Sequence, residues 1–270
     1  MDLVIVGPGR AGMSLALAAR RAGVGIAAVV GRDAEAVRRA AGRVDGRPLG
    51  LDEPLPSADL LVLAVRDDAI APVAGRIAPH ATAVAAAVHL SGLAPVDRIA
   101  SLRPLPVGSF HPLQTLPDPE AGSEAIDGAW VAVTTADEAL EGTLRSLAAR
   151  LGMHPFALDD DAKPLYHAAA ATAANYPLAA LAMAQRLYEA AGVPFEAAGP
   201  LVRAVVDNAL GMGPERALTG PVARGDLSTV AAQLEAVADA TPRRAAHIAA
   251  LAALTAEIAG TTDVLDEVLP

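Results

Sequence analysis

Cysteine is absent from the 270 residues, which removes disulfides, thiolate metal sites and a cysteine nucleophile together and fits a reducing compartment. Aromatic residues supply only 3% of the chain, so the apolar fraction of 53% comes largely from alanine, as alanine-rich helices would provide it. Long hydrophobic runs are also lacking. The low-charge stretch around Ala81 to Leu90 is too short to span a bilayer and reads as a buried strand. A formal charge of −10 without a basic cluster leaves no electrostatic footprint for nucleic acid, so the expected partner is a small molecule. The histidines, at 80, 89, 111, 154, 167 and 247, show no HxxxH or comparable spacing, and no metal site is expected. Neither a GxSxG elbow nor a GxxxxGK[ST] loop occurs. The first strand takes up the N-terminus, so no leader is expected ahead of it and a cytoplasmic location is anticipated.

What is present begins at once. Leu3-Val4-Ile5-Val6 is a continuous apolar strand running into Gly7-Pro8-Gly9-Arg10-Ala11-Gly12 and then a helix, the setting that turns a weak GxGxxG match into a dinucleotide fingerprint. Gly7 permits the tight turn and Gly9 removes the Cβ that would block a pyrophosphate. Gly12 lets helix and strand lie close, so the helix N-terminus can face phosphate charge.

Strand-like runs at 3–6, 25–30, 60–65, 82–89, 105–110 and 129–134 alternate with helical patterns, notably 34–41, 69–77 and 137–151, and a last strand is expected at 154–158. Beyond Asp159-Asp160-Asp161 the pattern is helical, at 162–191, 196–210, 227–240 and 243–259, with a kink expected at Pro177. The fold class expected is α/β: a Rossmann-type, doubly wound, mostly parallel sheet over residues 1–158, followed by an all-α domain over 159–270 for substrate binding and dimerisation. Pro54-Leu55-Pro56 and Pro117-Asp118-Pro119 read as surface loops.

At the end of the second strand, Val30-Gly31-Arg32-Asp33 bears on which dinucleotide is bound. Arg32 can pair with a 2′-phosphate and stack on adenine. Asp33 could hold ribose hydroxyls or cap the helix from Ala34; the cap reading is preferred, and with it NADP(H) over NAD(H).

Ligands of open α/β sheets sit beyond the carboxyl ends of strands, which brings forward Val65, Ser91, Gly92 and His111. Ser91 and Gly92 could approach nicotinamide or substrate, and His111 could bind substrate or only brace a loop. Arg66-Asp67-Asp68 reads as a helix start. Lys163, His167 and Asn175 fall within a sector of roughly 120° on one helix, among alanines. Finally, the break from Ala217 to Asp226 carries Thr219, a hydroxyl donor, and Arg224, a fork for a carboxylate, while Asp226 either orients Arg224 or caps the next helix.

Together these stretches resemble the DUF2520 family of Rossmann-like proteins with a helical C-terminal domain, relatives of the 6-phosphogluconate dehydrogenase-like reductases. The resemblance is carried by Val4 to Gly12, His89 to Gly92, Gly108 to Gln114, Tyr166 to Ala169 with Asn175, and Ala217 to Asp226. It implies an NADP-dependent reductase, and some actinobacterial members are linked to pantothenate synthesis, where a ketopantoate reductase is needed. Asn175-Tyr176-Pro177-Leu178-Ala179-Ala180 is similar to the helix after the catalytic asparagine of ketopantoate reductases. The place of their lysine, two turns earlier, is taken here by His167, with Lys163 a turn further back, and Ala171 replaces an intermediate asparagine.

The expectation is therefore reduction of a small carbonyl-bearing carboxylate, ketopantoate foremost. His167 or else Lys163 would be the acid, Asn175 the carbonyl-polarising group, and Arg224 with Thr219 the carboxylate ligands, in a homodimer. The alternatives are an imine reductase of the pyrroline carboxylate type and a non-catalytic NADP-binding sensor or scaffold.

Overall fold

The computed structural model describes residues 1–266 and Val268. Its first part alternates strands and helices: β1 (Asp2–Val6), α1 (Arg10–Arg21), β2 (Gly25–Val30), α2 (Ala34–Val44), β3 (Arg47–Leu49), β4 (Leu60–Leu63), α3 (Asp67–Ile77), β5 (Ala87–His89), β6 (Val107–Leu113), α4 (Pro119–Ala125), β7 (Trp130–Thr135), α5 (Glu138–Arg150) and β8 (His154–Ala157). The eight strands form one sheet in the order β3-β2-β1-β4-β5-β6-β7-β8. Neighbours pair in parallel except β6 with β7, which run antiparallel with Leu113 opposite Trp130. The expected fold class, a mostly parallel Rossmann-like sheet followed by helices, is observed.

The continuous apolar runs of the inner strands follow from burial on both faces. Along β1, Leu3 and Ile5 join the core beneath α1, α2 and α5, whereas Val4 and Val6 join the opposite core, which includes Ile70, Ala74 and Ile77 of α3. Asp33 starts α2 by accepting from the Glu35 and Ala36 amides at 2.9 and 3.0 Å, the cap role preferred above. Asp67 and Asp68 occupy the first turn of α3, as a helix start requires.

Several boundaries differ from the sequence reading. The strand expected over 82–89 forms only at Ala87–His89, since the alanine run before it supplies turns and one isolated bridge, Ala58 to Val84. β3 lies outside every expected strand, and its Pro48 suits only an edge position. Pro117 to Pro119 is not merely a loop: Asp118 caps α4 and Pro119 takes its first position, where a missing amide costs nothing.

The chain divides into two compact units, Met1–Asn175 and Tyr176 onward. The long helix α6 (Lys163–Ala190) is unbroken through Pro177, which withholds the donor that the Ala173 carbonyl would otherwise receive. The second unit continues with α7 (Gly199–Met212), α8 (Pro214–Ala217), α9 (Leu227–Ala240), α10 (Ala245–Ala259) and α11 (Thr262–Leu265). Its small core centres on Val230, Ala256 and Leu265. No described helix is long and apolar enough to cross a membrane.

Candidate functional site

β1 lies between β2 and β4, so the chain leaves it on one side and returns on the other, and the crevice for a ligand opens beyond the carboxyl ends there. The turn after β1 is built without side chains. Gly7 adopts φ +101°, and a Cβ on it would fall 2.5 Å from the Ala64 carbonyl oxygen; on Gly12 it would fall 2.3 Å from the Gly7 oxygen. Both contacts are with backbone, so neither position accepts a side chain without moving the loop. Gly9 is the opposite case, because a Cβ there would meet nothing within 4 Å. It faces open space at the start of α1, whose first turn carries no acidic residue and no side-chain cap. Amides left free at a helix N-terminus beside such space suit a pyrophosphate, so this loop fits the dinucleotide the sequence implies.

Gly7, Pro8 and Gly9 line a cavity of about 660 Å³, together with Arg32 and Val65. Arg10, Ala11 and Gly12 form the first turn of α1 next to it, with Gly12 buried as packing requires. Arg32 is exposed and forms no ion pair with any described residue. The Asp33 carboxyl is lowered chiefly by the Ala36 amide, then by that of Glu35, with help from Arg39 and Arg38. Two further arginines line the cavity: Arg66, from the stretch read as a helix start, pairs with Asp68 at 3.2 Å, and Arg76, which sequence reasoning missed, reaches Asp52 with two nitrogens at 2.6 and 2.5 Å.

Further along the same carboxyl edge, past β5 and β6, the groups are interlocked. His89 is fully buried; its Nδ1 accepts from the Ser91 amide at 3.2 Å, and its Nε2 has no hydrogen-bond partner among the described residues. Burial holds its pKa down to about 4, the Lys163 charge adding to the effect and the nearby Pro95 carbonyl opposing it without reaching hydrogen-bond geometry. The Ser91 hydroxyl accepts from the Leu93 and Ala94 amides at 3.2 and 2.9 Å, closing a turn. Lys163 at the start of α6 is 1% exposed, and its ammonium donates to the Ala94 carbonyl at 2.9 Å and pairs with Asp160 at 2.8 Å. Burial lowers its pKa, and Asp160 works against that. Asp160 also accepts from the Val96 amide at 3.0 Å, so Lys163 and Asp160 together clamp the segment from Ser91 to Val96.

His111, on β6, sits against Gly92 and shares a 2.8 Å hydrogen bond between Nδ1 and the Tyr166 hydroxyl. Burial, then the nearby His167 and Lys163 charges, holds its pKa down to about 4. Burial pushes Tyr166 up to about 12. Tyr166 entered the sequence reading only within a resemblance, because a single tyrosine among alanines signals nothing by spacing. His167 and Asn175 are exposed on α6.

Thr219 and Arg224 belong to the second unit, where both are exposed. Gly220 and Gly225 adopt φ +98° and +64°, giving the unusual backbone path their sequence suggested. Asp226 caps α9, its carboxylate accepting from the Thr229 amide at 3.1 Å and the Thr229 hydroxyl at 2.8 Å. Among the described residues no group of three His, Cys, Asp or Glu could hold a metal ion.

No curated protein matches the chain. Among solved structures, a proposed NADP oxidoreductase, BF3122 from Bacteroides fragilis, is 24% identical with TM-score 0.79 over 95% of this chain and 98% of its own. Protein TM1727 from Thermotoga maritima is 23% identical with TM-score 0.78 over 96% and 99%. An imine reductase from Myxococcus stipitatus, in complex with NADP+, is 13% identical with TM-score 0.66 over 97% and 94%. At such identities the likeness is one of fold. The family model described as Domain of unknown function (DUF2520) matches residues 129–256.

Proposed function

We propose that the protein is an NADPH-dependent reductase of a small carboxylate bearing a carbonyl group, with 2-dehydropantoate reduced to pantoate as the foremost candidate. The observation that carries this reading is the glycine-built turn opening on a cavity of about 660 Å³ whose rim holds Arg32 without a described ionic partner. Gly7, Pro8, Gly9 and the first turn of α1, Arg10 to Gly12, would hold the pyrophosphate. Arg32 would take the 2′-phosphate, and Val65 and Ser91 would border the nicotinamide end. A bound reduced nicotinamide supplies hydride at the substrate carbon.

The chain's own residues orient the substrate and manage the proton. Ser91, Gly92 and His111 border the reacting group, and Asn175 polarises the carbonyl. His167, exposed on α6, brings protons in from solvent. Lys163, buried and clamped to Ala94 and Asp160, contributes by fixing the loop from Ser91 to Val96. Thr219 and Arg224 are assigned to the carboxylate on their chemistry. The division of labour we propose is dinucleotide binding by residues 1–158 and substrate binding with dimerisation by 159–270. The homodimer is supported by α7, which buries none of its residues while Leu201, Val205 and Leu210 stand 59, 58 and 83% exposed.

A second reading, reduction of a cyclic imine carboxylate, is supported by the fold shared with the Myxococcus imine reductase. The deciding experiment is thermal stabilisation by NADPH against NADH, followed by NADPH oxidation with 2-oxo acids, ketopantoate and pyrroline carboxylate. Stabilisation by neither dinucleotide overturns the reading. Stabilisation without turnover of any compound favours a sensor.

A further inference from the structure

Carbonyl reduction needs a proton for the developing oxyanion. The group that gives it must hold that proton at working pH, reach the crevice and be fixed in orientation. Lys163 does not qualify, since its buried ammonium is spent on the Ala94 carbonyl and Asp160. Tyr166, on the same turn of α6, keeps its proton, stays partly open to solvent and is fixed in orientation. Its phenol is half-buried and keeps its proton, with a pKa pushed up to about 12. Its ring is packed edge-on against Phe156 and His111, at centroid separations of 5.9 and 5.6 Å. Its hydroxyl lies 2.8 Å from His111 Nδ1, and His111 is in turn seated over Gly92, in the loop after β5.

We propose that Tyr166 is the catalytic residue that hands its proton directly to the substrate oxygen, with His111 the positioning residue that aims the phenol and restores its proton. This rests on the reductase reading above. A neutral imidazole carrying its hydrogen on Nδ1 donates to the phenol oxygen and leaves the phenol's own hydrogen free for the substrate. As hydride from the reduced dinucleotide adds to the carbonyl carbon, the C=O π pair moves onto oxygen. The Tyr166 O–H bond breaks and the product O–H bond forms. The phenolate then takes the Nδ1 proton of His111 as the imidazole Nε2 gains a proton from solvent, directly or by way of His167, so that the ring stays neutral throughout.

The test uses the full-length protein, with 2-oxo acids including ketopantoate as probes. Tyr166→Phe keeps the ring and its packing, so fold by circular dichroism and NADPH affinity by fluorescence titration should be unchanged, while kcat falls by about a hundredfold or more. His111→Ala should lower kcat with little change in KM, and the double variant should lose no more than Tyr166→Phe alone, because both act through one proton. Two outcomes overturn the assignment alone: a Tyr166→Phe variant within threefold of an active parent, or losses that multiply in the double variant. A parent that binds NADPH yet reduces none of the probes overturns the reductase reading and this assignment with it.

Discussion

The imidazole of His111 lies so close over Gly92 that a Cβ there would fall 2.6 Å from its Cε1 and 2.8 Å from each ring nitrogen. The glycine is what allows the ring to reach Tyr166. Gly92→Ala should displace the imidazole and break its hydrogen bond to the phenol, at an overpacking cost of about 1–3 kcal/mol measurable by urea unfolding. Loss of turnover should exceed loss of NADPH affinity. An alanine variant with unchanged stability and turnover would show that the ring has room to spare.

Gly9 and Gly12 should separate binding from folding. At Gly12 a methyl group meets backbone, so Gly12→Ala should lower the melting temperature as well as NADPH affinity. At Gly9 it meets only the open cavity side, so Gly9→Ala should cost under about 1 kcal/mol while NADPH binding is largely lost. Equal effects of the two changes on stability would contradict this.

Arg32 should decide between dinucleotides. Replacing it with leucine removes a charge that has no described partner, so stability should hardly change. NADPH affinity should fall by roughly a hundredfold, as expected for a lost charge-assisted phosphate contact, with NADH little affected. Parallel fluorescence titrations give the answer, and an unchanged NADPH-to-NADH ratio would remove Arg32 from phosphate recognition.

Acid should weaken the fold in a defined window. His89 and His111 are both held at about 4 against an ordinary value of 6.5, so the unfolded chain takes up protons first as pH drops. Their contribution is complete above pH 6.5, is lost as pH falls toward 4, and levels off below it. The loss is on the order of 3 kcal/mol for each imidazole. Urea unfolding between pH 7 and 4 measures it, and His89→Gln should flatten the slope. A stability that is constant across this range would contradict the burial argument.

Lys163→Met should be tolerated better than Lys163→Ala. Both leave Asp160 and the Ala94 carbonyl without their donor, but methionine refills the buried volume, so the alanine variant should be less stable by roughly 2 kcal/mol in urea unfolding. Equal stability of the two would show that volume plays no part.

What the sequence made legible is local. The strand, turn and helix at Leu3 to Gly12 could be read because apolar run, glycine spacing and helical pattern are contiguous, and Asp33 and Asp226 because a cap acts within three residues. The alanine strand misled because alanine does not distinguish strand from turn or helix, leaving only Ala87–His89 paired in β5. Asp118 before Pro119 was a helix start hidden in what looked like a proline loop. The bond from His111 to Tyr166 joins residues 55 apart on a strand and a helix, and no periodicity within either element announces it.

The short connector from Leu158 to Ala162, between β8 and α6, has an outsized influence. It sets the phase of α6, the rotational position at which Lys163 meets Ala94 and Tyr166 meets His111. One residue inserted or removed there would advance or retard the helix by about 100° and shift it by about 1.5 Å along its axis. A neighbour such as Leu165 or His167 would then compete for the place now held by Tyr166. A change of length in this five-residue connector is therefore a single genetic step that would exchange the side chain offered to His111 while leaving every strand of the sheet as it stands.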